Sequence, residues 1–269
     1  MIALEHSSDG RSVTVMLKRP DRRNALNQSL VKELTAVLRS LNADEQIRVI
    51  VLTGSGTVFS AGADLQALQN LQNASYEDNL DDSTSLAELF QTMLEGPKLL
   101  IAKINGHAIA GGSGLVAACD LGFASSTAKF GFTEVRLGFV PALVSVLLRR
   151  RLREAQLRDV LLSGRVFSAE EASSIGLINQ HVAPEALDAT VSAYVDSICR
   201  NTSSEAISQT KNLLQKNAGV PFAHAFKAAI IANARARATT DCQNGVAAFL
   251  NKTDTPWAEA YDRDHPEPA

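Results

Sequence analysis

The 269-residue chain is short of the residues that announce a metal, a disulfide scaffold or a membrane anchor. Its three cysteines, Cys119, Cys199 and Cys242, are odd in number, far apart and form no Cys-x-x-Cys pair, so neither a disulfide framework nor a zinc site is expected. They read as small buried hydrophobes in a protein of the reducing cytoplasm. There are five histidines, no two at metal-ligand spacing, so no metal is expected. No apolar run approaches the ~18 residues of a spanning helix. The opening Met1 to His6 holds only a short apolar start, so no secretory leader is expected. A net charge of −3 offers no general attraction to polyanions, and neither nucleic acid nor membrane is expected as a partner.

What the chain does have is glycine at the junctions of strands and helices. The stretch Ile104-Asn-Gly-His-Ala-Ile-Ala-Gly-Gly-Ser-Gly-Leu-Val-Ala-Ala-Cys-Asp120 follows the apolar strand Leu99 to Ile104 and turns into a buried helix at Gly111. The first amides of a helix lack intrahelical acceptors and sit at the positive end of its dipole, so Gly111 and Gly112 can present bare N–H groups to an anion. A second stretch, Thr57-Val-Phe-Ser-Ala-Gly-Ala-Asp-Leu65, follows the strand Arg48 to Leu52 and repeats the pattern. Two amides from two such turns are what an oxyanion hole requires.

Around these turns the periodicity predicts a strand over Ser12 to Leu17 and a helix over Gln28 to Leu41 capped by Asn27. It also predicts a short helix from Leu65 to Leu71, a polar, mobile surface segment Asn73 to Asp82, and a helix capped by Ser83 or Thr84 that runs to about Leu94. Short strands are expected at Leu121 to Ala124 and Ala128 to Phe130, then a helix Ala142 to Leu148. Helices at Gln156 to Leu162, Ser168 to Ser174 and Pro184 to Cys199 follow, with a strand over Gly176 to Val182. From Asn201 every periodic segment is helical, with Ser203 or Ser204 capping the first. The chain therefore divides into residues 1–200 and residues 201–269.

Several familiar motifs fail. Gly54-Ser-Gly56 lacks the third glycine of a dinucleotide fingerprint, and Gly112-Ser-Gly114 lacks the spacing of a nucleophile elbow. His107 could be a base, but a packed or partly exposed loop histidine is the preferred reading. The run Arg149-Arg-Arg-Leu-Arg153 reads as a helix end whose side chains cap carbonyls or face water. Glu134 lies in an apolar loop, Phe130-Gly-Phe-Thr-Glu-Val135, where desolvation would raise its pKa toward the range of a general acid/base. A carboxylate paired with Arg136 and otherwise idle is the equal alternative from spacing alone.

Four blocks, Phe59-Ser-Ala-Gly-Ala-Asp-Leu65, Ile104 to Gly112, Cys119-Asp120 and Ala128-Lys-Phe-Gly-Phe-Thr-Glu-Val135, resemble the signature of the enoyl-CoA hydratase/isomerase (crotonase) superfamily. The resemblance extends from Lys18-Arg-Pro-Asp-Arg-Arg-Asn-Ala-Leu-Asn27 through Leu162 to Leu177 and into the C-terminal helices. It implies an α/β fold, a crotonase-like spiral of repeated β-β-α units in residues 1–200, with a helical trimerisation region in 201–269. It implies an acyl-CoA thioester substrate whose carbonyl oxygen rests between the amides of Ala63 and Gly111, with Glu134 as acid/base. Losing one such donor should cost ~2.7–4 kcal/mol of activation free energy. CoA enters as part of the substrate and no separate cofactor is implied. Its contacts carry over to Arg22, Arg23, Ala25 and Ala61, and to Phe249 and Lys252 from a neighbouring subunit of a homotrimer or homohexamer.

The chain departs from the hydratase pattern at one position. Many hydratases of the family resemble one another in a second catalytic glutamate three residues after the position of Gly111, and this chain has Gly114 there. The resemblance implies first a lyase of fatty acid metabolism, an enoyl-CoA hydratase/dehydratase in which Glu134 works alone or with help from Ser113 or a water. A Δ3,Δ2-enoyl-CoA isomerase needing one base is the alternative. A non-catalytic acyl-CoA- or RNA-binding relative is the third. The acyl pocket is expected near Leu65 to Leu89 and Val140 to Leu147.

Overall fold

The computed structural model describes residues 1–71 and 73–266. The chain winds through repeated strand-strand-helix units. The first comprises β1 (Ile2–His6), β2 (Ser12–Leu17) and α1 (Gln28–Ala43). The second comprises β3 (Val49–Gly54), β4 (Val58–Ser60), α2 (Leu65–Leu71) and α3 (Tyr76–Glu95). The third has β5 (Leu99–Ile104), β6 (His107–Ile109) and α4 (Gly111–Ala118). The fourth has β7 (Leu121–Ser125), β8 (Lys129–Gly131), α5 (Ala142–Leu148) and α6 (Glu154–Ser163). There follow β9 (Val166–Ser168), α7 (Ala169–Ser174), β10 (Gln180–Val182) and α8 (Leu187–Asn201). Four more helices follow among the described residues: α9 (Ser204–Asn217), α10 (Phe222–Ala236), α11 (Thr240–Asn251) and α12 (Pro256–Asp264).

The first unit gives both its strands to a six-stranded sheet ordered β1-β2-β3-β5-β7-β10; in each of the next three the first strand joins that sheet and the second joins a four-stranded sheet ordered β4-β6-β8-β9. All neighbours are parallel except β1 with β2 and β8 with β9. The strand β3 is buried along its whole length because both faces are covered. Ile50 and Leu52 face the main core, where Leu30, Leu34 and Leu38 of α1 pack, whereas Val49 and Val51 face α8 through Leu187, Val191 and Val195. This is the expected crotonase-like spiral. Cys119 and Cys199 are buried in these cores, which pushes their thiols up to about 12 and about 11 and leaves them protonated and inert.

Asn27 caps α1 as expected, accepting the Leu30 amide at 2.9 Å. Two expectations are corrected. The segment from Asn73 to Asp82 is not a loop: α3 begins at Tyr76, because Ser75 and Asp78 form a capping box and Glu77 and Asp78 suit the positive helix end. Ser83 and Thr84 therefore lie inside the helix, Thr84 bonding back to the Leu80 carbonyl. The strand expected over Gly176 to Val182 contracts to its last three residues. The strands β4, β6 and β9 are only three residues long, too short for periodicity to register. The side chains of Leu65, Leu68 and Leu71, in the stretch expected to line an acyl pocket, lie outside the described residues.

Candidate active site

The four-stranded sheet positions the chemistry. In register, Ser60 of β4 lies beside Ala108 of β6, and Ala108 and Ile109 lie beside Phe130 and Gly131 of β8. These three parallel neighbours leave the sheet at one edge and deliver Ala63, Gly111 and Glu134 there, three residues, two residues and three residues beyond their strands. The turns after β4 and β6 touch backbone to backbone. Gly62 has φ +82°, and a Cβ on it would lie 2.6 Å from the Ile109 carbonyl oxygen and 3.2 Å from the Gly111 nitrogen. A Cβ on Gly112 would fall 2.3 Å from the Ser60 carbonyl oxygen. Only glycine permits this approach.

Leu26 donates its N–H to the Gly62 carbonyl at 2.7 Å and the Asp64 N–H reaches the Leu26 carbonyl at 2.9 Å, bypassing the N–H of Ala63. Gly111 is the first residue of α4, and among the described residues neither its amide nor that of Ala63 has an acceptor. The preceding Ala110 is held at φ +49°, ψ −121°, a strained conformation for a residue with a Cβ, by its N–H bond to the Gly131 carbonyl at 2.7 Å. That kink turns the start of α4 toward the edge where β8 ends.

Glu134 opens a short 3-10 turn, Glu134–Leu137, on that edge. Its carboxylate oxygen Oε2 is buried and has no hydrogen-bond partner among the described residues. Burial raises its pKa above the ordinary carboxyl value, opposed only by a backbone hydrogen bond. Arg136 is exposed, and among the described residues Glu134 forms no ion pair, so the idle paired carboxylate is not what the structure holds. A half-buried carboxylate with one enclosed oxygen and no partner among the described residues costs folding free energy and is what a proton-transfer group can look like before substrate arrives.

The position of the absent second glutamate is filled by hydrocarbon. A Cβ on Gly114 would lie 2.7 Å from Val144 Cγ1 and 3.0 Å from Phe90 Cζ, both side chains buried. Ser113, considered as a helper, is fully buried and donates its hydroxyl to the Ala108 carbonyl at 2.5 Å, so it is turned away from such a role. His107 is exposed at the far end of β6, and its Nδ1 accepts the Lys129 N–H at 3.2 Å. Arg151 of the basic run caps α4, donating to the carbonyls of Ala117 and Cys119.

The residues assigned to CoA fall in two places. Arg22 and Arg23 are exposed on a 3-10 turn, Pro20–Arg22, with Arg23 left-handed at φ 50°. Ala25 is buried behind them, and the Ala61 amide donates to the Arg23 carbonyl at 3.0 Å, which joins this loop to the Ala63 turn. Phe249 and Lys252 stand apart on α11 and its left-handed C-cap, with Phe249 83% exposed. Sequence reasoning missed Arg19, Asn24 and Asp64, which tie the two loops together. Arg19 and Asp64 were visible inside the quoted motifs, but nothing in spacing pairs residues 45 positions apart.

A spiral of β-β-α units thus brings two amides and one carboxylate oxygen, without partners among the described residues, to the same end of one sheet, an arrangement with the chemistry to stabilise an oxyanion. Residues 10–260 match the family described as Enoyl-CoA hydratase/isomerase, and the chain belongs to it. It is 40% identical over 243 residues, 90% of this chain and 96% of the relative, to a Thermus thermophilus protein bearing the name of an enoyl-CoA hydratase. It is 33% identical over 94% of this chain to Enoyl-CoA hydratase ACTT6 of Alternaria alternata, covering 83% of that protein. The crystal structure of enoyl-CoA hydratase from Mycobacterium smegmatis superposes with a TM-score of 0.90 at 29% identity, covering 95% of this chain and 98% of that one.

Proposed function

We propose that the protein is an enoyl-CoA hydratase/dehydratase that works through a thioester enolate with Glu134 as its single acid/base. The observation that carries this reading is the buried, unpartnered Oε2 of Glu134 on the edge where the free amides of Ala63 and Gly111 emerge. The thioester carbonyl oxygen accepts both N–H groups. Glu134 takes a proton from water as its oxygen bonds Cβ, and the electron pair of the double bond moves to the carbonyl oxygen as the enolate. The two amides stabilise that charge without reorganising. Protonated Glu134 then returns the proton to Cα, which regenerates the carbonyl and the carboxylate. Arg22 and Arg23 offer their exposed guanidinium groups to the CoA phosphates, beside the backbone of Ala25 and Ala61.

The apolar filling at Gly114 favours a second reading. With no second carboxylate to hold water, the same site serves a Δ3,Δ2-enoyl-CoA isomerase, in which Glu134 moves one proton from Cα to Cγ through a dienolate held by the same two amides. Crotonyl-CoA and 3-hexenoyl-CoA, assayed separately by ultraviolet absorbance, distinguish the two. Loss of conjugation with the first marks hydration, and gain of conjugation with the second marks isomerisation. Glu134→Gln should abolish either; no turnover in the wild type with any enoyl or 3-hydroxyacyl thioester would leave only a binding role.

The C-terminal helices support a homotrimer or homohexamer. Leu214, Phe222, Phe226, Ile230, Phe249 and Leu250 are all more than half exposed on α9 to α11, large apolar side chains that neighbouring subunits would cover. In such an assembly Phe249 and Lys252 reach the nucleotide of a neighbouring site. Sedimentation of wild type and Phe226→Asp tests the assembly. A cytoplasmic place in fatty acid metabolism is part of this proposal, in keeping with the enoyl-CoA hydratase names of the relatives.

A further inference from the structure

We propose that Arg19 and Asp64 are positioning residues: their ion pair is a strut that aims the Ala63 amide and makes the CoA-phosphate loop and the oxyanion turn one rigid body. The inference rests on the enolate reading above. The N–H of Ala63 and the C=O of Gly62 belong to one planar peptide unit and point in opposite directions, so whatever holds the carbonyl aims the amide. The Leu26 N–H holds that carbonyl at 2.7 Å, and the Leu26 carbonyl takes the Asp64 N–H at 2.9 Å. Leu26 is thus the template on which residues 62–64 are laid, and its own placement decides the direction of the amide.

Arg19 fixes that placement from both sides. One guanidinium nitrogen donates to the Ala25 carbonyl, immediately before Leu26, and the other reaches Asp64 Oδ2 at 2.8 Å. Asp64 is only 5% exposed, and its second oxygen accepts the Gln66 amide at 2.9 Å, which anchors the start of α2. Burial alone would raise the Asp64 carboxyl. The hydrogen bonds from Arg19 and Gln66 and the charges of Arg19 and Arg22 outweigh it, and the group stays ionised. Behind the strut, fully buried Asn24 accepts the Arg19 amide at 2.9 Å and donates to the carbonyls of Ser55 and Val58, pinning the loop to β4. Arg22 and Arg23 ride on the same loop, so binding of the phosphates and aiming of the amide share one support.

The test uses purified full-length protein, crotonyl-CoA and 3-hexenoyl-CoA as probes, and Asp64→Asn, Arg19→Lys, Arg19→Gln and Asp64→Asn/Arg19→Gln, each checked by circular dichroism. Asp64→Asn keeps an acceptor for the Gln66 amide but loses the charge that holds Arg19. Its kcat per folded molecule should fall ~10- to 100-fold, the penalty of a misplaced catalytic group, while KM rises by a smaller factor through the shared loop. Arg19→Lys keeps the charge but reaches one partner and should retain more kcat than Arg19→Gln. The double variant should be no worse than the poorer single, because both break the same strut. Unchanged kcat per folded molecule with lowered thermal stability would reduce the pair to a structural role and overturn the proposal, as would a raised KM at full kcat. Glu134→Gln separates the two inferences. If it keeps turnover, the enolate reading fails; if it is inactive while Asp64→Asn is fully active, only the strut fails.

Discussion

Replacing Gly114 by alanine adds one methyl group at the position where many relatives carry a second carboxylate. The new Cβ would sit 2.7 Å from Val144 Cγ1 and 3.0 Å from Phe90 Cζ, well inside van der Waals contact. Neither neighbour can give easily. Valine in a helix has essentially one χ1 well, and the Phe90 ring is 3% exposed among packed neighbours. Overpacking of this kind costs ~1–3 kcal/mol. Alanine recovers ~0.8–1 kcal/mol relative to glycine inside a helix. The net effect is a destabilisation of about 0–2 kcal/mol, which lowers Tm by up to ~8 °C in a chain of this size. Differential scanning calorimetry of Gly114→Ala, Val144→Ala and the double variant reads it directly. The double variant should be more stable than the sum of the singles, because removing Cγ1 makes room for the methyl. Gly114→Glu, which must bury a charge among the same side chains, should be worse than Gly114→Ala and should not gain hydratase activity. A Gly114→Ala protein clearly more stable than wild type, or additive singles, would show that the position is not filled as described.

Three further outcomes follow from the site and its supports. Glu134→Gln should be more stable than wild type at neutral pH: burial raises the folded-state pKa of Glu134, so the wild type loses stability as pH rises through that value, and the advantage of glutamine should vanish at pH below the ordinary carboxyl range. Thermal melts from below the ordinary carboxyl range up to neutral pH check the sign, and the reverse trend would refute the burial of Glu134. Gly62→Ala combines a left-handed φ of +82°, ~1–2 kcal/mol for a residue with a Cβ, with a contact 2.6 Å from the Ile109 carbonyl, and should lower both kcat and stability. Arg151→Ala strips the carbonyls of Ala117 and Cys119 of their donor and should cost ~1–3 kcal/mol in urea unfolding.

Much of the fold was legible because its signals are local. The helix at Gly111, the strand Leu99 to Ile104 and the cap at Asn27 depend on neighbours within a turn or a strand, and all three stand where periodicity and capping chemistry place them. The stretch Asn73 to Asp82 was misread because its polarity suggested a loop, while the reciprocal Ser75 and Asp78 bonds that start α3 need geometry to be recognised. The strands β4, β6 and β9 exist only through their neighbours, since three residues carry no period of their own.

From residues alone came the kinds of groups on offer: two glycine-rich turns able to expose amides, a glutamate in apolar company, and no second carboxylate at position 114. Which of them act together was settled by the parallel register of β4, β6 and β8, which sends three distant segments out at one edge. The same is true of the pairing of Arg19 with Asp64, of the hydrocarbon packed against Gly114 and of the lone oxygen of Glu134. The reason is physical. Capping, turn formation and amphipathic pattern are decided within a few residues, whereas burial, ion pairing and the removal of a partner from a polar atom are properties of space, and residues far apart in sequence become neighbours only once the chain has closed on itself.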